Sequence, residues 1–123
     1  MAKDASKTKP IRWVGSSRDD LRACPEGVKD EVGFALWLAE QGKRHPSVKT
    51  MKGFGGASVQ EIRADDPSGT YRAVYTVKFG GVIYVLHVFH KKSKSGIATP
   101  KAELDLIQRR LDQAKAHYEE HGG

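Results

Sequence analysis

Val82-Ile-Tyr-Val-Leu-His-Val-Phe-His90 is the stretch on which the reading of this chain turns. It is almost unbroken in apolar, β-branched or aromatic residues, the mark of a central strand covered on both faces. Ahead of it, Tyr71-Arg-Ala-Val-Tyr-Thr-Val-Lys-Phe79 is also rich in β-formers. Only Gly80-Gly81 separates the two, a two-residue loop of the kind tight hairpins need because its residues take positive φ. Further upstream, Val59-Gln-Glu-Ile-Arg63 reads as a short alternating strand. It joins the hairpin through Ala64-Asp-Asp-Pro-Ser-Gly69, a run of turn formers. The expectation is a three-stranded antiparallel meander.

A chain of 123 residues suits one domain with one core. Its 38% hydrophobic and 29% charged content belongs to a globular protein rather than a disordered one. No apolar run approaches the ~20 residues of a membrane span, and no signal-peptide pattern opens the chain. The single Cys24 makes neither an internal disulfide nor, alone, a zinc site, so the expected compartment is the cytoplasm. The net charge of +6 is unevenly spread. Between Arg44 and Lys101 stand ten Lys or Arg against three acids, Glu61, Asp65 and Asp66. A basic excess gathered on and around a sheet is the footprint of a polyanionic partner.

Residues 1–10 are polar and Lys-rich and read as a mobile basic tail, residues 11–118 as the domain, and 119–123 as a frayed end. Ile11-Arg-Trp-Val14 alternates like an edge strand. Ser17 is placed to cap a short helix over Asp19 to Ala23, whose first-turn acids suit the helix dipole. A longer helix is expected from about Pro25 or Glu26 to Gln41. Val28, Val32, Ala35, Leu36 and Ala39 recur there at helical spacing, and Gly42 stands where a C-terminal cap belongs. Phe34, Trp37 and Leu38 widen its apolar stripe beyond what one side of a sheet requires; they read first as a broad core face and otherwise, in part, as an interface for another chain. Gly42 to Ser58 reads as a basic, Gly-rich connector. Its Lys52-Gly-Phe-Gly-Gly56 lacks the Gly-Lys-Ser/Thr ending of a phosphate-binding P-loop. After the sheet, Thr99 and Pro100 are expected to cap and open a last helix with a seam of Leu104, Ile107, Leu111, Ala114 and Tyr118. The order β-α-α-β-β-β-α defines an α+β domain with helices against a small sheet, antiparallel except for its N-terminal strand.

Pleat parity then sorts the side chains. With Gly80-Gly81 as the turn, Arg72 lies opposite Phe89, Val74 opposite His87, and Thr70 opposite Lys91. One face carries Arg72, Val74, Thr76, Lys78, Ile83, Val85, His87, Phe89 and Lys91. The other carries Tyr71, Ala73, Tyr75, Val77, Phe79, Val82, Tyr84, Leu86, Val88 and His90, and is the natural seat of the helices. Arg72, His87 and Lys91 meet at one end of the first face, where Arg63 joins them. A bulge near His90 would exchange Lys91 for Lys92, so the two are alternatives. Lys49, Lys52, Lys78 and Lys94 are candidate contacts to a phosphate backbone.

This set holds no paired carboxylates, no nucleophilic Ser or Cys and no credible metal ligands. Cationic donors with an imidazole are nevertheless enough for RNA cleavage by its own 2′-hydroxyl. A base takes the 2′-proton, Arg or Lys stabilises the phosphorane, and an acid protonates the 5′-leaving oxygen. Histidine suits the proton transfers near neutral pH, while Lys needs the lowered pKa that clustered cations supply. The residues alone leave cleavage and mere phosphate binding equally open.

The combination of Glu61-Ile-Arg63, Gly69-Thr-Tyr-Arg72-Ala-Val-Tyr75, Tyr84-Val-Leu-His87-Val-Phe-His-Lys-Lys92 and Thr99-Pro100 before a terminal helix resembles the RelE/ParE toxin superfamily. It is most similar to the phage-derived, HigB-like branch, over roughly residues 11 to 118. The resemblance implies the toxin of a type II toxin–antitoxin pair: a ribosome-dependent mRNA endoribonuclease, without a small-molecule cofactor. Its antitoxin would be a small helix-turn-helix protein. It further implies that Arg72 and Lys92 match basic site residues of RelE-type enzymes, with Arg63 at the end of a strand that carries others. Those enzymes place lysines where this chain has Gln60 and Glu61, which leaves the base open among His87, His90, Lys49 and Lys52. The family's C-terminal tyrosine does not carry over to Tyr118, whose spacing differs. Two other readings remain: a ParE-like inhibitor that binds DNA gyrase without a nuclease site, and a non-catalytic nucleic-acid-binding module.

Overall fold

The burial of β5 on both faces organises the molecule. In a computed structural model, which describes residues 9–56, 58–91 and 99–122, five strands form one mixed sheet in the order β1-β5-β4-β3-β2. They are β1 (Ile11–Trp13), β2 (Val48–Thr50), β3 (Val59–Asp66), β4 (Gly69–Thr76) and β5 (Ile83–Lys91). β1 runs parallel to β5, and the other neighbours are antiparallel. The α+β class and the meander therefore hold, with one strand added. β2 lies inside what the sequence reads as a connector, because three residues with two exposed side chains carry too little alternation to register.

Helix α1 (Ser17–Arg22) and helix α2 (Glu26–Glu40) lie on one face of the sheet. There Val28, Val32, Ala35, Leu36 and Ala39 pack on Ile62, Ala73, Tyr75, Ile83 and Val85. Helix α3 (Lys101–His117) covers the other face, setting Ile107, Leu111 and Ala114 against Val59, Val74, Tyr84 and Leu86. This corrects the expectation that the helices share one face. Within β5 a bulge decides which side chain meets which helix layer: Val74 pairs with His87 but Tyr75 pairs with Val85, leaving Leu86 as the extra residue. As a result Leu86 and His87 both point to the α3 side, and Ile83 and Val85 turn to the α2 side. The expected register survives from Thr70 to Val74 and slips by one beyond it.

Local details differ in instructive ways. Gly80-Gly81 sits in a wider loop from Val77 to Val82, closed by the Val82 amide donating to the Phe79 carbonyl at 3.1 Å, and only Gly81 has positive φ. β3 runs on to Asp66, because Asp66 accepts from both the amide and hydroxyl of Ser68 and narrows the turn to Pro67-Ser68. Ser17 is no cap. It lies buried in α1 and donates to the Val85 carbonyl, while Ser16 precedes the helix. Gly42 ends α2 as expected: its amide bonds to Ala39 and that of Lys43 to Leu38, a Schellman closure with Gly42 at φ 79°. Pro100, not Thr99, supplies the first carbonyl of α3. Past α3 the chain makes one wider turn, Tyr118–Gly122. Of the proposed basic tail, residues 1–8 lie outside the described residues. No helix among the described residues is long and apolar enough to cross a membrane.

Candidate functional site

α3 covers only the half of its sheet face near the Phe79 loop. At the other end three transverse rows of side chains share that face. They are Lys49–Glu61–Val74–His87, then Arg63–Arg72–Phe89, then Asp65–Thr70–Lys91. Arg63 stands directly across from Arg72, a like-charge pairing that costs stability unless each cation is answered. Each is. The Arg72 guanidinium donates to Glu61 Oε1 at 2.8 Å, both side chains nearly buried, and Arg63 Nε donates to Asp65 Oδ1 at 3.3 Å on the surface. Thr70 steadies the same Asp65 oxygen.

His87 lies in the next row, stacked on Phe89 with ring centroids 4.7 Å apart. Its Nε2 is 2.6 Å from Oε1 of Glu103, which α3 contributes from its first turn. Three buried polar atoms of this cluster have no partner among the described residues: Glu61 Oε2, Arg72 Nε and His87 Nδ1. Orphaned polar atoms of this kind are rare in a finished core and call for a partner, an ordered water or a bound group. Lys91 is buried at the rim. Burial pushes its ammonium pKa below the ordinary value, Arg72 pushes further, Glu61 pulls back, and Arg63 adds to the depression. The lowering expected from clustered cations is present, but desolvation is its larger cause.

The sequence candidates divide clearly. Arg63, Arg72, His87 and Lys91 share one end of one face, with Lys49 exposed in the row of Glu61 and His87. An open cleft of about 650 Å³ along the β2 edge is lined by Lys49, Arg63 and Asp65. His90 does not join them. It points to the α2 side, stacks on Tyr71 at 4.2 Å, and holds the Ser68 carbonyl through Nε2. Lys52 is exposed in the loop after β2, and Lys78 is exposed in the loop at the opposite end of β4, roughly 20 Å along the strand from Arg72. Lys92 and Lys94 lie outside the described residues. The register keeps Thr70 opposite Lys91, since the bulge falls at Leu86 rather than near His90. Tyr118 stacks on Phe79 at the far end of the sheet.

Sequence reasoning missed two residues of the cluster, Glu61 and Glu103. Glu61 was legible. Pairing β3 with β4 across Pro67-Ser68 sets it opposite Val74, one row from Arg72 and beside His87. Glu103 left no such signal, because a first-turn acid is explained equally well by the helix dipole. Among the described residues no group of three His, Cys, Asp or Glu converges as a metal site needs.

The molecule is thus a small three-layer α+β domain that keeps one end of a sheet face uncovered and fills it with cations around a buried carboxylate and an imidazole. By sequence it belongs to the family described as phage-derived Gp49-like proteins (DUF891), whose model matches residues 19–112. Among solved structures, a chain in the crystal structure of the toxin–antitoxin complex RelBE2 from Mycobacterium tuberculosis is similar at 23% identity. That likeness covers 68% of this chain and 99% of the other, with a TM-score of 0.47. No curated protein matches the chain.

Proposed function

We propose that this protein is the toxin of a type II toxin–antitoxin pair, an endoribonuclease that cuts mRNA on the ribosome and so halts translation and growth. The observation that carries the reading is the convergence of Arg63, Arg72, Lys91, Glu61 and His87 at the uncovered end of one sheet face. Membership of a phage-derived family and the motif resemblance to HigB-like toxins support it. So does the concentration of basic residues around the sheet.

Each group has a chemical role in cleavage by the 2′-hydroxyl. Glu61 keeps one carboxylate oxygen on Arg72 and leaves Oε2 buried and unpartnered; it accepts the 2′-proton once bound RNA displaces the side chains that cover it. The 2′-oxygen attacks phosphorus, and Arg72, Arg63 and Lys91 stabilise the added charge of the phosphorane. The P–O5′ bond breaks as His87, its buried Nδ1 uncovered by the same displacement, donates a proton to the leaving oxygen, giving a 2′,3′-cyclic phosphate and a 5′-hydroxyl. Glu103 on Nε2 holds the imidazole in place and leaves Nδ1 directed away from the helix. The family resemblance supplies the ribosome, the cytoplasm and a helix-turn-helix antitoxin as partners and setting.

The test maps 5′ ends on translated and untranslated copies of one transcript after induction in bacteria. Wild type should cut only the translated copy, and Glu61→Met/Arg72→Met should cut neither. Cuts that persist in that variant overturn the site. Growth arrest with intact mRNA would instead favour a gyrase-type target, and loss of RNA affinity without any cutting in wild type a simple binder.

A further inference from the structure

Helix α2 has a second face that the fold does not use. Phe34 and Trp37 are 51% and 52% exposed, the large hydrophobic side chains that the described residues leave in solvent. They are already arranged. Their rings stack at 6.1 Å with planes 17° apart, and His45 braces Phe34 edge-on at 5.6 Å. His45 is itself fixed by the Ser47 amide and by Glu31. Gly33 adjoins them in mid-helix, where glycine costs about 1 kcal/mol relative to alanine. Nothing lies within 4 Å of the Cβ that alanine would add there, so packing inside the chain does not require the glycine.

We propose that this face is a homodimer interface in which α2 of one copy lies antiparallel on α2 of a second copy about a two-fold axis. Charge decides the occupant. The N-terminal half of the exposed face carries Asp30 and Glu26, the latter paired with Lys29, and Lys43 follows its C-terminal end, while Arg44 is turned to Val48 and Thr50 of β2. With Phe34 of one copy over Trp37 of its partner, each acidic end meets the other copy's basic end. Gly33 then leaves room for the partner's indole. An isologous contact needs this kind of self-complementarity. The face lies on the side of the sheet away from Arg72 and His87, so both cationic surfaces stay open and the proposal does not depend on the catalytic reading.

One fifteen-residue helix gives a modest interface, so association is expected in the micromolar range. Light scattering on size-fractionated full-length protein, from about 10 to about 300 µM, should show the 13.6 kDa monomer giving way to a species of twice that mass. Trp37→Asp should weaken the dimer at least roughly thirtyfold, the loss of one buried anchor, with an unchanged thermal melt when measured dilute. Should that variant misfold, charge exchange decides: Asp30→Lys weakens association and Asp30→Lys/Lys43→Asp restores it. A single 13.6 kDa species at every concentration overturns the proposal and leaves the face to a different protein. So does a dimer indifferent to both sets of changes.

Discussion

Arg72 stands in a nearly buried pair, and the pair decides how it can be substituted. Taken alone it is a cation whose removal should silence cleavage and leave the fold intact. Its pairing with buried Glu61 changes that. Arg72→Ala strands a buried carboxylate and should destabilise by about 3–5 kcal/mol, whereas Glu61→Met/Arg72→Met removes both charges and should unfold within a few kcal/mol of wild type. Urea denaturation of the two variants checks the contrast. If the double change also abolishes cutting by roughly a hundredfold or more, the loss is chemical rather than structural. Lys91 makes the complementary case. Its folded pKa lies below the ordinary 10.5, chiefly through burial. Between those two values the unfolded chain binds more protons than the folded one, so stability rises with pH across that window. Below it the strained ammonium opposes folding in full. Lys91→Met should therefore be more stable than wild type at neutral pH and should lack the alkaline rise, while cleaving RNA less well. Equal denaturation midpoints at neutral pH would show that the site does not strain the lysine.

At the scale of the element, the β5 bulge sets which of that strand's side chains enter each of the two cores. Its extra residue, Leu86, would leave a carbonyl without a ladder partner. Arg110 of α3 fills that role, donating through Nη1 at 3.0 Å and reaching Ser16 with Nη2. Gly15, at φ 58°, gives the guanidinium its passage, since a Cβ there would come within 2.7 Å of Nε. Arg110→Ala should cost about 1–3 kcal/mol by orphaning the carbonyl, with amide exchange accelerated first around Leu86 and His87. Unaltered exchange there would mean that the bulge holds itself. The same element explains the limits of the sequence reading. Period-two parity carried Arg72, His87 and Lys91 to one face, because those positions lie on the near side of the bulge. It failed for Ile83 to Leu86 because an almost uniformly apolar strand offers no alternation to reveal a slipped register. α2 and the α3 seam were legible because helical spacing repeats over many residues. β2 was not, because three residues hold no period.

On the scale of the whole molecule, the proposed site rests on an asymmetry between two faces. α1 and α2 pack on one side of the sheet, and α3 stops short on the other, leaving Lys49, Arg63, Arg72 and Lys91 at the uncovered end. On the proposed reading, RNA held there would face Lys49, Arg63, Arg72 and Lys91, at most about four phosphate-directed charges once RNA draws Arg72 and Arg63 from Glu61 and Asp65. Single-stranded RNA releases roughly 0.7 counterion per neutralised phosphate, so log affinity should fall against log salt with a slope near −3. Lys49→Gln, at the exposed edge of the array, should lower that slope by about 0.7 and weaken all sequences alike. Lys78→Gln, in the loop at the other end of the sheet, should leave the slope unchanged although it removes the same charge. Fluorescence anisotropy with a short RNA over a salt series reads both. The comparison separates a localised groove from the diffuse pull of a +6 protein, because net charge alone predicts equal losses at the two lysines. Equal losses would therefore dissolve the groove, whereas a slope that responds only at Lys49 ties RNA binding to the face that carries Arg72 and His87.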